Sequence, residues 1–371
     1  MPIFARIYFA VFLFSFLCWG QGDVLTFIAG SMMGHPVPEL SGVWAALLTA
    51  LFLWSAGPLS ACCSRRGLSP FQPCVAWSWV VAAFLSMPNA SCVYQCVLLA
   101  AGVLLAIVVE WWNRRAKPSA KRDWWQGASF SAVSLLLVSL FLACGTATTD
   151  VQHYEMITAR RILDNHPKRA LKVGRGELPT SPRLLALRCY AMSERAGGLG
   201  TRIFEQPFPP SAHADMLLLP DDARQRLLLP VDSLTKRLGG VKCRQGECAL
   251  DYLARCATLA GDRPSPAADY YLCALLVDRR IDRFAKEVQR FYGRQIRSKK
   301  GLPHYYVEAL VMYARTRLHP VIVYRDAAVE ANLRDYFDMR DSIPDAVMRR
   351  NLLCRSYGDT YWWYFTYGYA R

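Results

Sequence analysis

The chain reads as all-α in two parts, an N-terminal bundle of about five transmembrane helices followed by a soluble array of helical hairpins. Three observations predict this. Apolar runs of near-membrane length crowd the first 148 residues and are absent afterwards. The remainder, 149–371, is charged and repeats its apolar residues at helical spacing. Charge is split the same way: 8 Lys and Arg against 5 Asp and Glu up to Asp150, a net of +3, and 36 against 24 beyond it, a net of +12. The 371 residues leave room for two domains, expected at 1–148 and 149–371.

The apolar runs are 4–20, 40–62, 71–87, 92–112 and 128–146. A crossing helix needs about 20 mostly apolar residues, because the hydrocarbon core is about 30 Å thick. A lipid-exposed backbone must satisfy its own hydrogen bonds, so separate runs of this length are expected as helices. The run 71–87 is the weak link, being short and closed by Pro88. The first run has only Arg6 ahead of it and lacks a small-x-small cleavage site, so an uncleaved helix is expected rather than a signal peptide.

Orientation follows from Lys and Arg in short loops. Arg6, the pair Arg65 and Arg66, and the loop with Arg114, Arg115, Lys117, Lys121 and Arg122 fall on one side if all five runs cross. The other loops hold no Lys or Arg; the first of them carries Asp23 and Glu39. The N-terminus is therefore expected in the cytoplasm and residues 149–371 outside it. Trp111, Trp112, Trp124 and Trp125 flank the basic loop as interfacial anchors. No charge lies deep within a run, which argues against a pump or coupled transporter. The last run ends in Leu142-Ala143-Cys144-Gly145, which has the look of a lipoprotein cleavage box. Four apolar runs precede it, so Cys144 is expected instead near the outer end of the fifth crossing.

Beyond Asp150 the helical signals are local. Tyr154, Ile157 and Ile162 mark a helix that stops at Pro167. Ser181 and Pro182 form an N-cap and first helical position, and the helix they open ends near Gly197-Gly198. The stretches YYLCALL, from Tyr270, and YYVEALV, from Tyr305, share one pattern at an offset of 35 residues. That period is close to the 34 of helix-turn-helix repeats of the tetratricopeptide kind. Ala274 and Ala309 would allow close helix approach, and Tyr271 and Tyr306 would pack across neighbouring units. The segments that follow, DRFAKEVQRFYG and RLHPVIVYRDAA, do not match each other.

This half holds 29 Arg against 7 Lys, densest in DRRIDRF, RQIRSKK and MRRN. Interspersed acids suit a salt-bridged surface, whereas the Arg excess suits phosphate or carboxylate. No nucleic-acid motif is present, nor a zincin, nucleophile-elbow, Walker or dinucleotide signature. No metal site and no cofactor is expected. Cys243 and Cys248, in CRQGEC, flank a turn that could close a small disulfide loop if this half is extracytoplasmic. Asn89 completes a glycosylation sequon in a loop tight against the membrane.

Four stretches carry a resemblance: GQGDVL from Gly20, GGLGTRIFEQP at Gly197–Pro207, YYVEALVMYA at Tyr305–Ala314 and GDTYWWYF at Gly358–Phe365. In these the chain resembles an uncharacterised family of Bacteroidota membrane proteins with several N-terminal helices and a tetratricopeptide-like extracytoplasmic domain. The resemblance implies architecture, and no activity comes with it. The region between Leu238 and Ala267 is shorter here than the family pattern.

Three functions are compatible with this reading. The first is a non-enzymatic envelope protein whose basic array binds a protein or an anionic envelope component, with the lipid bilayer as its other partner. The second is a membrane transferase using a lipid-linked donor, with Asp23 as its acid or base. The third is a subunit of an export or transport complex.

Overall fold

The computed structural model describes residues 3–34, 41–86, 92–115, 124–146, 150–175, 180–209 and 211–368. Glu39, Pro88, Asn89, Lys117, Lys121 and Arg122 lie outside the described residues, as do the side chains of Arg115, Trp124 and Trp125. Every regular element among the described residues is helical. The chain forms two compact units, Met1–His153 and Tyr154–Arg371.

In the first unit, α1 (Ile3–Ser15) continues through a π-helical turn, Phe16–Gly20. Then come α2 (Gly22–Met33), α3 (Ser41–Arg65), α4 (Gln72–Ser86), α5 (Cys92–Arg115), α6 (Trp124–Cys144) and the start of α7 (Asp150–Leu163). The unit has an apolar interior, including Phe9, Leu13, Phe52, Val81, Leu98 and Leu142. Its outward residues are apolar too: Phe4 is 81% exposed and Trp54 79%, with Leu51, Val97 and Leu104 also exposed. A helix apolar all round belongs in a non-aqueous solvent or a larger core. Three stretches, Ile3–Gly20, Gly42–Arg65 and Val93–Trp112, are long and apolar enough to cross a membrane.

That is three rather than the five expected. Within the run 71–87 the described helix is α4, Gln72–Ser86, whose 15 residues rise only about 22 Å, less than the hydrocarbon core. The helix α6 is 21 residues long, and its apolar stretch among the residues whose side chains are described is Ser131–Cys144. The loop expected after the first run holds an unforeseen helix, α2, whose Val24, Leu25, Ile28 and Ala29 are buried. Gly34 ends it in the left-handed conformation, φ 77°.

Hydrogen bonds fix which helix ends meet in this unit. Ser86 and Tyr94 hydroxyls both donate to the Gly145 carbonyl, at 3.4 and 2.9 Å, joining the end of α4, the start of α5 and the end of α6. At the opposite ends the Ser69 N–H donates to Glu110 at 2.7 Å, and Arg114 pairs with the same carboxylate at 3.1 Å. The exposed Cys144 precedes Gly145.

The second unit contains the rest of α7, then α8 (Pro167–Ala170), α9 (Pro182–Ser193) and three 3₁₀ turns at Leu199–Thr201, Ile203–Glu205 and Ala214–Leu217. Next are α10 (Ala223–Leu228), α11 (Val231–Arg237), α12 (Ala249–Leu259), α13 (Pro266–Val277) and α14 (Ile281–Ser298). The last are α15 (His304–Thr316), α16 (Ala327–Ser342), α17 (Ala346–Tyr357) and α18 (Tyr361–Tyr367). The sequence writes their starts: Ser181, Asp222, Ser265, Asp326, Asp345 and Thr360 each cap a helix by accepting from a first-turn N–H. Such a cap is worth about 1 kcal/mol.

From α12 onward each helix packs on the next, and α18 turns back against α15. Residues Ala267–Val277 of α13 are buried continuously, so this helix is the centre of the unit rather than one amphipathic member among equals. Tyr271, Ala274, Tyr306 and Ala309 are all buried. Tyr306 reaches across from α15 to α13, whereas Tyr271 packs edge-on to Phe291 of α14, inside its own hairpin. The mismatch after the repeated motif has a structural form. The α13–α14 hairpin turns tightly at Arg279, φ 59°. After α15 the segment 317–326 stays irregular until Asp326 caps α16.

Candidate functional site

Sequence stretches far apart in the chain converge on α13 and α15. Asp269, one turn into α13, is 7% exposed. Its Oδ1 accepts from the Tyr292 hydroxyl at 2.5 Å and the Tyr306 hydroxyl at 3.0 Å. The Cys273 thiol lies 3.5 Å from the same Tyr306 oxygen. A Cβ on Gly198 would sit 1.9 Å from Asp269 Oδ2, and one on Gly200 would sit 2.6 Å from Cζ of the Tyr306 ring. The glycines of GGLGTR are thus required by close approach as well as by a turn. This carboxyl ties three segments together and is enclosed by Tyr306, Tyr292 and Cys273, all buried.

Burial pushes the Asp269 carboxyl up to about 6, with the Tyr292 and Tyr306 hydroxyls opposing the rise. The folded state therefore holds this proton more tightly than the unfolded chain. Its contribution is full below the unfolded value of 3.8 and is lost as pH rises to about 6. Asp269→Asn is expected to flatten the stability profile between those values. Unfolding midpoints of the full-length protein at pH 4 to 7 check this; an unchanged slope in the variant excludes Asp269 as the titrating group.

Beside this carboxyl lies an aromatic cluster. Phe204 contacts Tyr305, Tyr361 and Tyr364, with ring centroids 5.1, 5.2 and 4.7 Å away. Glu308, 2% exposed, accepts the Tyr361 N–H at 2.7 Å and pairs with His304 Nε2 at 3.0 Å. His304 is the first residue of α15, and its hydrogen bond to Glu308 raises its pKa. Tyr305 and Tyr364 hydroxyls donate to the Asp359 and Val277 carbonyls. The stretches from Gly197, Tyr305 and Gly358 that carry the resemblance therefore form one packed core.

Asp23 lies in the first turn of α2, 9% exposed, with Oδ2 2.8 Å from Nδ1 of His153. The pairing joins residues 130 apart, and nothing local in the sequence signals it. Cys243 and Cys248 are exposed free thiols, not the disulfide expected. Burial raises the Cys243 pKa, and the Cys248 thiol donates to Asp251 at 3.1 Å. Their loop is held instead by Arg255, which bonds Glu247 at 2.5 Å and the Lys242 carbonyl at 3.0 Å. Among the described residues no group of three His, Cys, Asp or Glu could hold a metal.

The basic runs separate once folded. In DRRIDRF, Arg279 is spent on the core: it donates to the Tyr364 carbonyl at 3.2 Å. Arg283 lies over the Tyr271 ring. In RQIRSKK, by contrast, Arg294 and Arg297 join Arg263 and Arg290 along a groove of about 590 Å³. The groove lies between the α12–α13 turn and the second half of α14. Gln289, Gln295 and Asp262 complete its polar wall. The sequence offered half of this site; Arg263 and Arg290 enter only through the fold. Elsewhere on the unit, the segment after α15 exposes Leu318 (96%), Val321 and Val323.

Neither a curated protein nor a solved structure matches the chain. Residues 258–368, which hold Asp269, Tyr306, Glu308 and the groove arginines, match a family described as "Family of unknown function (DUF6057)".

Proposed function

We propose that this is a non-enzymatic, multi-pass protein of a bacterial inner membrane, whose basic helical domain binds a protein or an anionic component outside the cytoplasm. The observation that carries it is the arginine-lined groove in the second unit. The apolar exterior of the first unit supports the anchor, as do its three stretches long and apolar enough to cross a membrane. The meeting of helix ends at Gly145, opposite the Glu110 end, supports alternating passes. Consecutive helix packing supports a tetratricopeptide-like array, which offers an extended surface to a partner. The exposed Leu318, Val321 and Val323 suit a protein partner.

Cys243 and Cys248 are natural reporters of location, being exposed. A membrane-impermeant maleimide, applied to reduced spheroplasts, is expected to label them without lysis. The Cys243→Ser/Cys248→Ser variant gives the background. Labelling that requires lysis would put the domain in the cytoplasm and overturn the reading. A photo-crosslinking residue at Gln289 then captures the partner in cells. No captured species at normal protein levels counts against a binding role.

A second reading, a membrane transferase, is favoured by the Asp23–His153 pair, since a carboxylate orienting an imidazole is a general-base arrangement. Asp23→Ala that leaves the phenotype and protein level intact removes it.

A further inference from the structure

We infer that the groove between the α12–α13 turn and the second half of α14 binds a ligand bearing clustered phosphoryl groups. This rests on the reading of the second unit as an anion-binding domain, and names the anion. Arg290 lies just before the break in α14 at Tyr292, Arg294 and Arg297 lie one turn apart beyond it, and all three line the groove with Arg263 of the preceding turn. Like charges at these spacings repel. The helix dipole rewards cations in the last turn of a helix, which covers Arg297 but not Arg263 in the turn before α13.

Arg290 is pre-set. Asp262 holds its Nε at 2.5 Å, and its guanidinium carbon lies 5.2 Å from the centroid of the Phe291 ring. Among the described residues no carboxylate lies within ion-pair distance of Arg263, Arg294 or Arg297. Four guanidiniums against one carboxylate leave a local excess that a single carboxylate ligand would not neutralise. A phosphoryl group brings up to two charges and three acceptor oxygens, and guanidinium forks meet it bidentately. The groove's volume falls in the range of small-ligand sites, about 300–1,000 Å³, and exceeds what one phosphate fills. Its floor is bare. Tyr292 departs from helical geometry (φ −115°, ψ 17°), and a Cβ on the adjacent Gly293 would meet nothing within 4 Å.

The test uses the full-length protein in neutral detergent micelles, with pyrophosphate titrated calorimetrically and citrate as the charge-matched carboxylate. Pyrophosphate is expected to bind at least about tenfold more tightly than citrate. Arg294→Glu/Arg297→Glu is expected to weaken it about 100-fold or more, through two lost charge-assisted contacts. Gly293→Leu fills the floor without touching a charge and is expected to weaken it about tenfold. Wild-type affinity in both variants, or citrate binding as tightly as pyrophosphate, would overturn the assignment.

Repeating the titration in nanodiscs separates the sources. If a lipid headgroup is the ligand, phosphatidate lowers the apparent pyrophosphate affinity relative to pure phosphatidylcholine. If the ligand is soluble, the two nanodiscs give the same affinity. The two readings fail separately. A cellular crosslink at Gln289 that persists in Gly293→Leu, alongside no pyrophosphate preference, removes the phosphate assignment alone. Pyrophosphate binding with cytoplasmic labelling of Cys243 and Cys248 removes the envelope reading alone.

Discussion

Gly198→Ala is expected to destabilise the second unit by about 3 kcal/mol or more, enough to deplete the folded protein. Two costs combine. The residue sits at φ 64°, ψ −167°, a region essentially reserved for glycine, where another residue costs about 1–3 kcal/mol. The new Cβ would also stand 1.9 Å from Asp269 Oδ2, and that carboxylate is anchored by two tyrosine hydroxyls and cannot swing away without leaving them unpaired. Gly261→Ala is the control. It has φ 87° but open space around the Cβ position, so it bears the backbone cost alone. Denaturant unfolding of both variants in detergent, followed by a tertiary probe of the soluble half, measures the difference. Equal costs at the two positions would show that the approach of Gly198 to Asp269 is not the constraint.

Phe204→Ala is expected to cost about 3–5 kcal/mol, the range for a fully buried phenylalanine. Phe204 is 2% exposed and touches three tyrosines, Tyr305, Tyr361 and Tyr364, together with Phe208. Those tyrosines are fixed by their own hydroxyls, which donate to backbone carbonyls: Tyr305 to Asp359, Tyr364 to Val277 and Tyr361 to Leu276. They cannot close over the void, so the cavity term should be near its maximum. Phe204→Leu restores most of the volume and should recover more than half of the loss. The same unfolding measurement decides. A cost below about 1 kcal/mol would mean that the 203–209 segment is peripheral to the core.

The helices of the second unit were legible where the signal is local. Ser181-Pro182 writes an N-cap and its proline, and the structure shows Ser181 Oγ accepting from the Leu184 N–H at 3.0 Å. The apolar periodicity of 270–276 and 305–311 likewise marks α13 and α15. Crossing length was harder to read. Hydropathy finds an apolar run, but whether it is long enough depends on how much of it is helical, and among the described residues α4 accounts for 15, Gln72–Ser86. The helix α2 was hidden because a 12-residue apolar segment after a longer one reads as loop until its burial face is known.

The sequence by itself determined the helical class, the division into an apolar and a basic half, and the arginine excess. These depend on composition and on spacings within a few residues, which the chain carries whatever it packs against. Only the tertiary structure decided which arginines are paired elsewhere and which gather on the groove. Arg279 goes to the Tyr364 carbonyl and Arg317 to Asp282, at 2.8 Å through both nitrogens, whereas Arg263, Arg290, Arg294 and Arg297 gather on one groove. It also decided the partner of Asp23 and the burial of Asp269 against Gly198. The physical reason is common to all three. A charge acts over a few ångströms through space, and folding brings within that reach groups that lie tens of residues or more apart along the chain.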